Sequence, residues 1–299
     1  MKIIITGSTG FVGRHLIPKL LSKNYIILEL TRNLNVSNQL YEDKTQKYLI
    51  DEDQNELVKT IEEFNPDVII HLASFLTSLD DYNSLNKLLN SNITFFCRLL
   101  DATKNIDLKL FVNTGTFAEY HSSNNVFDPA YLYAATKSAS RSFLDYYSKV
   151  YNFKQTTVVP FTIYGGMDTQ KKIIDIIHDS TINSNPIDLS PGEQILDFIH
   201  IDDVIDFYIV LIQNQNNIPN KSNFQLGTGV GNSLKQVAQL IEKISAKKTN
   251  INWGGKNYRS SDIMYAIADI SEIKNTFQWS PKINLIEGIQ KLMKRVDKI

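Results

Sequence analysis

Short, continuously apolar runs punctuate the first half of the chain, and each leads into a segment whose apolar residues recur at helical spacing. "KIIIT" (2–6) precedes "FVGRHLIPKLLSK" (11–23), and "YIILELT" (25–31) follows. "KYLI" (47–50) precedes "QNELVKTIEEF" (54–64), and "DVIIHLA" (67–73) precedes a long helical stretch near 80–104. "LKLFVNT" (108–114), a helix over 131–151 and "QTTVVPF" (155–161) complete the series. Strands that are apolar at successive positions are buried on both faces. Their alternation with helices predicts an α/β fold around a doubly wound parallel sheet.

The second half is less regular. "PIDLSPGEQILDFIHIDDV" (186–204) and "NFQLGTGVGNSLKQVAQLIEKI" (223–244) mix strands, turns and helices, and "FQWSPKINLIEGIQKLMKRV" (277–296) predicts a terminal helix with a proline start signal. No low-complexity linker separates the halves. The expected organisation is a dinucleotide-binding domain over 1–165 and a smaller, mixed substrate-binding region over 166–299, of which 197–230 returns in part to the first domain.

Composition narrows the function. With 42% hydrophobic residues, 21% charged residues and a formal net charge of −1, the chain lacks the basic face that nucleic acid requires. The single cysteine, Cys97, excludes an internal disulfide framework and a cysteine-based zinc site, and the five histidines show no ligand spacing, so no metal is expected. No apolar run approaches the roughly 20 residues of a membrane span, and the strand-like start replaces a signal peptide. A cytoplasmic protein acting on small molecules is expected.

"IIITGSTGFVGRHL" sets Gly7, Gly10 and Gly13 between the first strand and the first helix, with Thr9, Phe11 and Val12 in the same turn. Glycines here permit a tight turn, close approach of the backbone to a pyrophosphate, and close packing of helix on strand. The helix N-terminus adds unpaired N–H groups and partial positive charge. A glycine-rich turn without a ligand has the same composition. Its position at the head of an alternating chain is what points to a Rossmann-type dinucleotide site. Dinucleotide choice is read at the end of the second strand, where a carboxylate holds a ribose 2′-OH and an arginine accommodates a 2′-phosphate. Here "LELTRN" offers Arg32, while Glu29 lies too early, so NADP(H) is expected ahead of NAD(H).

In "DPAYLYAATKSASRSF" (128–143), Tyr133 and Lys137 are four residues apart and share a helical face, whereas Tyr131 does not. With 14 tyrosines in the chain, one Tyr-x-x-x-Lys is expected by chance, and spacing alone leaves open a catalytic pair or two unrelated side chains.

Taken with "TGSTGFVG", "HLAS" (71–74), "DFIHIDDV" (197–204), "FQLGTG" (224–229) and "YRSSDIMYAIADISEIKNTFQWSP" (258–281), that pair resembles the extended short-chain dehydrogenase/reductases of nucleotide sugars over the whole length. "NTGTF" (113–117), "SPGEQ" and "GTGVGNSLK" most resemble the CDP-abequose synthase type within it, reductases of a nucleotide-linked 4-keto-6-deoxyhexose that serve surface polysaccharide and O-antigen sugars. The resemblance implies Thr116, Tyr133 and Lys137 as the catalytic set. Asp51, Leu72 and Ala73 would line the adenosine, Asn92 would support the site from the long helix, and Lys137 would reach the nicotinamide ribose. Pro160 and Tyr164 would border the nicotinamide pocket. Thr116 and Phe117 would face the sugar, and Arg259 with Asp262 would hold the pyrophosphate and ribose of a CDP- or dTDP-linked substrate. Family habit and the aromatic-rich "FLDYYSKVY" (143–151) imply a homodimer through the helices 80–104 and 131–151.

An ammonium beside a phenol favours phenolate, so Lys137 is expected to lower the Tyr133 pKa from its ordinary value of about 10. Departures from the family sharpen the expected reaction. Its dehydratases follow the threonine with Asp-Glu, but Phe117 and Ala118 follow Thr116 here. Members that epimerise at C3 and C5 use a cysteine and a histidine, whereas Cys97 is expected to be a buried apolar residue. Reduction remains, or 4-epimerisation by oxidation and re-reduction with NAD. Arginines usual before "DF" and before "YG" are replaced by Leu196 and Pro160; Lys171 or Lys172 could stand in for them.

Overall fold

Ile3, Ile4 and Ile5 have no solvent-exposed surface, because the strand that carries them (β1, Lys2–Thr6) lies in mid-sheet with a neighbour on each side. The structure, a computed structural model, describes residues 1–121, 126–166 and 171–296. Two units are distinguished: residues 1–159 with 205–224, and residues 160–204 with 225–299.

In the first unit β1 leads into α1 (Phe11–Leu21), β2 (Ile26–Thr31), α2 (Leu34–Tyr41), β3 (Gln46–Leu49), α3 (Gln54–Phe64) and β4 (Val68–His71). Then come α4 (Tyr82–Leu88), α5 (Phe95–Asp101), β5 (Leu110–Thr114), α6 (Leu132–Tyr151) and β6 (Lys154–Pro160). The sheet runs β3-β2-β1-β4-β5-β6, with the strand Ser222–Leu226 beyond β6. The pairs β1–β2, β2–β3, β1–β4, β4–β5 and β5–β6 are all parallel. This is the doubly wound order that the apolar runs predict. Chain order reverses between β1 and β4, which is where such sheets bind ligands beyond their carboxyl ends.

Local rules explain the element ends. Asp53 caps α3 by accepting from the N–H groups of Asn55 and Glu56, at 2.9 and 3.2 Å, and Asn65 closes the helix in the left-handed region at φ 45°. The face between these caps buries Leu57, Ile61 and Phe64 against Ile4, Leu28 and Ile69 of the sheet. Each such side chain contributes about 1.5–3 kcal/mol on burial. On the same side Phe96 meets Phe111 edge-on at 5.7 Å.

Two elements depart from expectation. The apolar pattern does not reveal α2, which Asn33 starts by accepting from the Val36 N–H at 3.1 Å. The stretch 80–104 is not one regular helix, because a π-helical turn, Leu89–Thr94, joins α4 to α5.

In the second unit, the strand Ile195–His200 pairs in parallel with Thr162–Tyr164 and with Tyr265–Ala266, and antiparallel with Gly231–Ser233. A separate parallel pair joins Ile187–Leu189 to Ile251–Trp253. Tyr164, Phe198, Leu234, Val237 and Ile289 share its core. The buried carboxylate of Asp197 accepts from Thr228 N and Oγ1 at 2.9 and 2.6 Å, Gly229 N at 2.8 Å and Ala268 N at 3.2 Å. Four donors compensate the burial of one charge and fix the "GTG" turn. The terminal helix is Leu285–Val296, four residues after Pro281. Among the described residues no helix is long and apolar enough to cross a membrane, and no cluster of ligating side chains could hold a metal.

Candidate active site

The glycine turn closes at the carboxyl end of β1, held by a Gly10 N–H bond to the Gly7 carbonyl at 3.0 Å. Gly7 adopts φ +71°, and a Cβ there would stand 2.6 Å from the Ala73 nitrogen. A Cβ on Gly13 would stand 2.4 Å from the Gly7 carbonyl oxygen. Glycine is therefore dictated by backbone packing at both positions. The Leu72–Ala73 segment of "HLAS" forms the other wall, tied in by Leu72 N to Thr6 O at 3.2 Å and Ala73 N to Thr6 Oγ1 at 3.1 Å. Tyr41 braces the turn from outside, donating to the Ser8 carbonyl at 2.7 Å.

A dinucleotide pyrophosphate fits this turn. Gly10 caps α1 with no side chain, the first turn carries no acidic residue, and the Arg14 N–H bonds the Gly10 carbonyl at 2.9 Å, which sets the open N-terminal end of the helix at the glycine turn. The buried hydroxyl of Ser8 also lacks a partner.

Thr116, Tyr133 and Lys137 belong to the same unit and come from two segments. Thr116 caps a short 3-10 turn, Phe117–Glu119, its Oγ1 accepting from Ala118 N at 3.3 Å. An acceptor role leaves its hydroxyl proton available to donate. Ala130 N donates to the Ala118 carbonyl at 3.0 Å and docks this turn against the start of α6. Tyr133 and Lys137 lie one turn apart on the buried face of α6, 9% and 3% exposed, and the Tyr131 ring stacks beside Tyr133 at 6.0 Å.

Asn92, in the π-helical turn, fills both ends of its amide with protein partners. Its Oδ1 accepts from Phe75 N at 2.8 Å and Ser74 Oγ at 3.2 Å, and its Nδ2 donates to Phe75 O at 3.1 Å and Thr136 Oγ1 at 3.0 Å. Ser74 in turn hydrogen-bonds the Tyr133 phenol. Asn92 thus reaches the tyrosine through protein groups rather than presenting its amide to a ligand.

Glu119 is a residue that the sequence motifs leave aside. It has no exposed surface, and it accepts from Thr116 N at 2.7 Å, Arg141 Nε at 2.7 Å and Arg141 Nη2 at 3.2 Å. Its signal is legible all the same: Thr116-x-x-Glu119 is the spacing of a capping box.

The expected electrostatics of the pair need correction. Burial, the largest influence, raises the Tyr133 pKa above its ordinary value; Ser74 lowers it, and Tyr131 and Glu119 raise it further. Lys137 is itself pushed down to about 8 by burial, against the pull of Glu119 and with a smaller push from Arg141. Desolvation penalises both charged forms and outweighs the attraction that spacing alone suggested. His71, on β4, is held well below its ordinary value by burial and then by Lys137, so it is neutral at physiological pH.

Around the glycine turn, Arg32 is exposed at the end of β2, while Glu29 is fully buried and accepts from Ser37 Oγ at 2.9 Å and Thr45 Oγ1 at 2.5 Å. Asp51 is exposed beyond β3, where it accepts from Asp53 N at 2.9 Å. Cys97 is half-buried rather than fully buried, with its thiol pushed up by burial.

In the second unit, Pro160 is half-buried, and the Tyr164 side chain is a core element whose hydroxyl donates to the Asn284 carbonyl at 3.5 Å. Only its main chain remains to meet a cofactor. Arg259 is exposed, on a turn that Asp262 closes by accepting from Arg259 N at 2.9 Å. Lys171 pairs with Asp179, and Lys172 N donates to Asp175 at 2.8 Å.

This arrangement has relatives. Residues 3–227 match the NAD dependent epimerase/dehydratase family. The chain belongs to that family. Within it, the chain is 29% identical to CDP-abequose synthase of Yersinia pseudotuberculosis, over 88% of this chain and 91% of that protein. It is 27% identical to CDP-abequose synthase of Salmonella typhimurium, over 98% of each. Among solved structures, UDP-glucuronic acid 4-epimerase of Bacillus cereus, in complex with UDP-glucuronic acid and NAD, superposes with a TM-score of 0.87 at 24% identity over 100% of this chain and 99% of that one. The last likeness establishes a shared fold.

Proposed function

We propose that this chain is an NADPH-dependent reductase of the 4-keto group of a CDP- or dTDP-linked 4-keto-6-deoxyhexose, supplying a sugar for surface polysaccharide. The observation that carries the chemistry is that the Thr116 turn is tied to α6 through Ala130 and Arg141, the helix on which Tyr133 and Lys137 lie buried one turn apart. The near-full-length likeness to CDP-abequose synthases carries the substrate.

A reduced nicotinamide, when bound, supplies the hydride. The Thr116 hydroxyl holds the ketone oxygen by hydrogen bonding, and Tyr133 delivers a proton to that oxygen as negative charge develops on it. Its raised pKa keeps the phenol protonated, the form a reductase needs, and an alkoxide is still the stronger base. Lys137 holds the cofactor ribose and steadies the phenolate left behind. Gly7, Thr9, Gly10, Phe11, Val12 and Gly13 take the pyrophosphate, Leu72, Ala73 and Asp51 line the adenosine, and Pro160 borders the nicotinamide. On the substrate, Phe117 meets the sugar, and Arg259 and Asp262 take the diphosphate and ribose.

Dehydration is disfavoured, because the one carboxylate in the Thr116 turn is committed to Arg141. NADP(H) is favoured by Arg32 standing exposed while Glu29, the only acid in "ILELTRN", is occupied by Ser37 and Thr45. The helix face carrying Phe143, Tyr146 and Val150, all exposed on α6, supports a homodimer, which sedimentation at micromolar concentration would test. A cytoplasmic location suits such a substrate.

The test mixes protein, NADPH and a CDP- or dTDP-4-keto-6-deoxy sugar and follows nicotinamide absorbance. Stoichiometric oxidation is expected, and no turnover with any common nucleotide would refute the reading. A second reading, an NAD-dependent nucleotide-sugar 4-epimerase, is favoured by 26% identity to UDP-glucuronate 4-epimerase of Thermodesulfobacterium geofontis over 96% of the chain. It requires retained NAD and interconversion without net cofactor consumption.

A further inference from the structure

Glu119 and Arg141 form a buried ion pair, with side-chain exposures of 0% and 14%. Arg141 lies one helical turn beyond Lys137 on α6, and its Nη1 donates to Asn223 Oδ1 at 3.0 Å. Asn223 is anchored in turn by donating to the Tyr120 hydroxyl at 3.0 Å. Glu119 divides its carboxylate between Arg141 and the Thr116 N–H, with Ser138 Oγ at 3.5 Å. The pair also lies over Gly115, where a Cβ would stand 2.5 Å from Glu119 Oε1 and 2.8 Å from Arg141 Nη2. Chain is thereby cleared for it on the threonine side as well.

We propose that Glu119 and Arg141 are positioning residues that fix the Thr116 hydroxyl relative to α6 and hold opposed charges beside Lys137. This inference rests on the assignment of Thr116, Tyr133 and Lys137 as the reacting set. A buried ion pair is weak evidence for stability, because desolvation offsets its attraction. Its partners are better evidence: one arm ends on the backbone of the proposed substrate-binding threonine, and the other starts four residues from the lysine. Among the described residues, Glu119 from the turn, Arg141 along α6 and His71 from β4 face Lys137 with titratable or permanent charge, and Tyr133 stands one turn before it. His71 is neutral, so Glu119 and Arg141 oppose one another at Lys137. Removing either leaves the other uncompensated in a low-dielectric site.

The experiment is an NMR titration of the Lys137 ε-carbon in isotope-labelled protein, assigned by the peak lost in Lys137→Met. In the parent chain the midpoint is expected at about 8. Glu119→Gln, which keeps an acceptor for Thr116 N, should move it down by about one pH unit, and Arg141→Gln should move it up by less. A pair that only seals the core would not give shifts of opposite sign. Unchanged midpoints, or shifts in one direction in both variants, overturn the proposal. If Glu119→Gln does not fold, the sign in Arg141→Gln decides alone, since that arginine retains some exposure. Amide exchange adds a check on the other arm: Thr116 N–H should lose protection in Glu119→Ala and keep it in Glu119→Gln. The titration needs neither cofactor nor sugar, so it can fail while the assigned reaction stands, and it remains readable if that assignment fails.

Discussion

Asn92 and Thr136 meet across a helix interface, the amide of one donating to the hydroxyl of the other at 3.0 Å, although 44 residues separate them. Thr136 hands its own proton to the Tyr133 carbonyl at 2.7 Å, so the contact ends on the turn of α6 that carries the tyrosine. Asn92→Leu should leave the Phe75 N–H and C=O unpaired in a partly buried site, at about 1–3 kcal/mol each when fully desolvated. A lower melting temperature together with slower turnover is expected from calorimetry and kinetics, whereas Asn92→Asp, which keeps both acceptor contacts, should be milder.

Tyr133→Phe removes the proposed proton donor and little else. Turnover should fall by about a hundred- to ten-thousand-fold. Reduced-nicotinamide binding, followed by fluorescence, should stay within a few-fold of the parent. Parallel losses in both would mean that the phenol serves the fold rather than the reaction.

Lys137 is expected to set stability against the proposed activity. Its folded pKa of about 8 lies below the ordinary 10.5, so between those values the unfolded chain binds more protons and stability rises with pH. Below pH 8 the cost of keeping the buried lysine charged is fully present, roughly 3 kcal/mol by linkage. Lys137→Met should therefore be inactive yet melt higher than the parent at pH 7, with the difference shrinking towards pH 10. A variant less stable than the parent at pH 7 would contradict the assigned burial.

The proposed dinucleotide preference turns on Arg32. Arg32→Ala removes the cation proposed to meet the 2′-phosphate, and the ratio of kcat/KM for NADPH over NADH should fall by about one to two orders of magnitude. An unchanged ratio would transfer that role elsewhere on the chain.

Gly7→Ala places a methyl group against the Ala73 nitrogen and forces φ +71° on a residue that resists it. A loss of about 1–3 kcal/mol in stability is expected from denaturant unfolding. Weaker cofactor binding should accompany it, read by fluorescence titration.

Much of the first unit was legible because parallel strands announce themselves as unbroken apolar runs. The extent of α3 follows from Asp53 at one end and an apolar stripe at the other. By contrast α2, "LNVSNQLY", is short and its apolar residues Leu34, Val36, Leu40 and Tyr41 fall on two helical faces, so no single stripe shows and only its Asn33 cap hints at it. The burial of Tyr133 and Lys137 on one face of α6 could be read from their spacing, but their charges could not. Sequence reports which ionisable groups are neighbours on a helix; it does not report how much water each has lost, and here water decided the sign for Tyr133. Glu119 was legible as a cap and opaque as a partner of Arg141, since nothing local joins residues 22 apart.

The π-helical turn at Leu89–Thr94 has a phase consequence. Buried positions through this region recur every four residues, at Ser84, Leu88, Asn92 and Phe96. On an α-helix of 3.6 residues per turn, such a stripe swings by about 40° at each step and would soon face away from α6. One wider coil cancels most of that swing and keeps all four on the inner side. Deleting a single residue there would restore ordinary winding and rotate one flank against the other, so this segment cannot shorten by one without either Asn92 or the Phe96 cluster losing its seat.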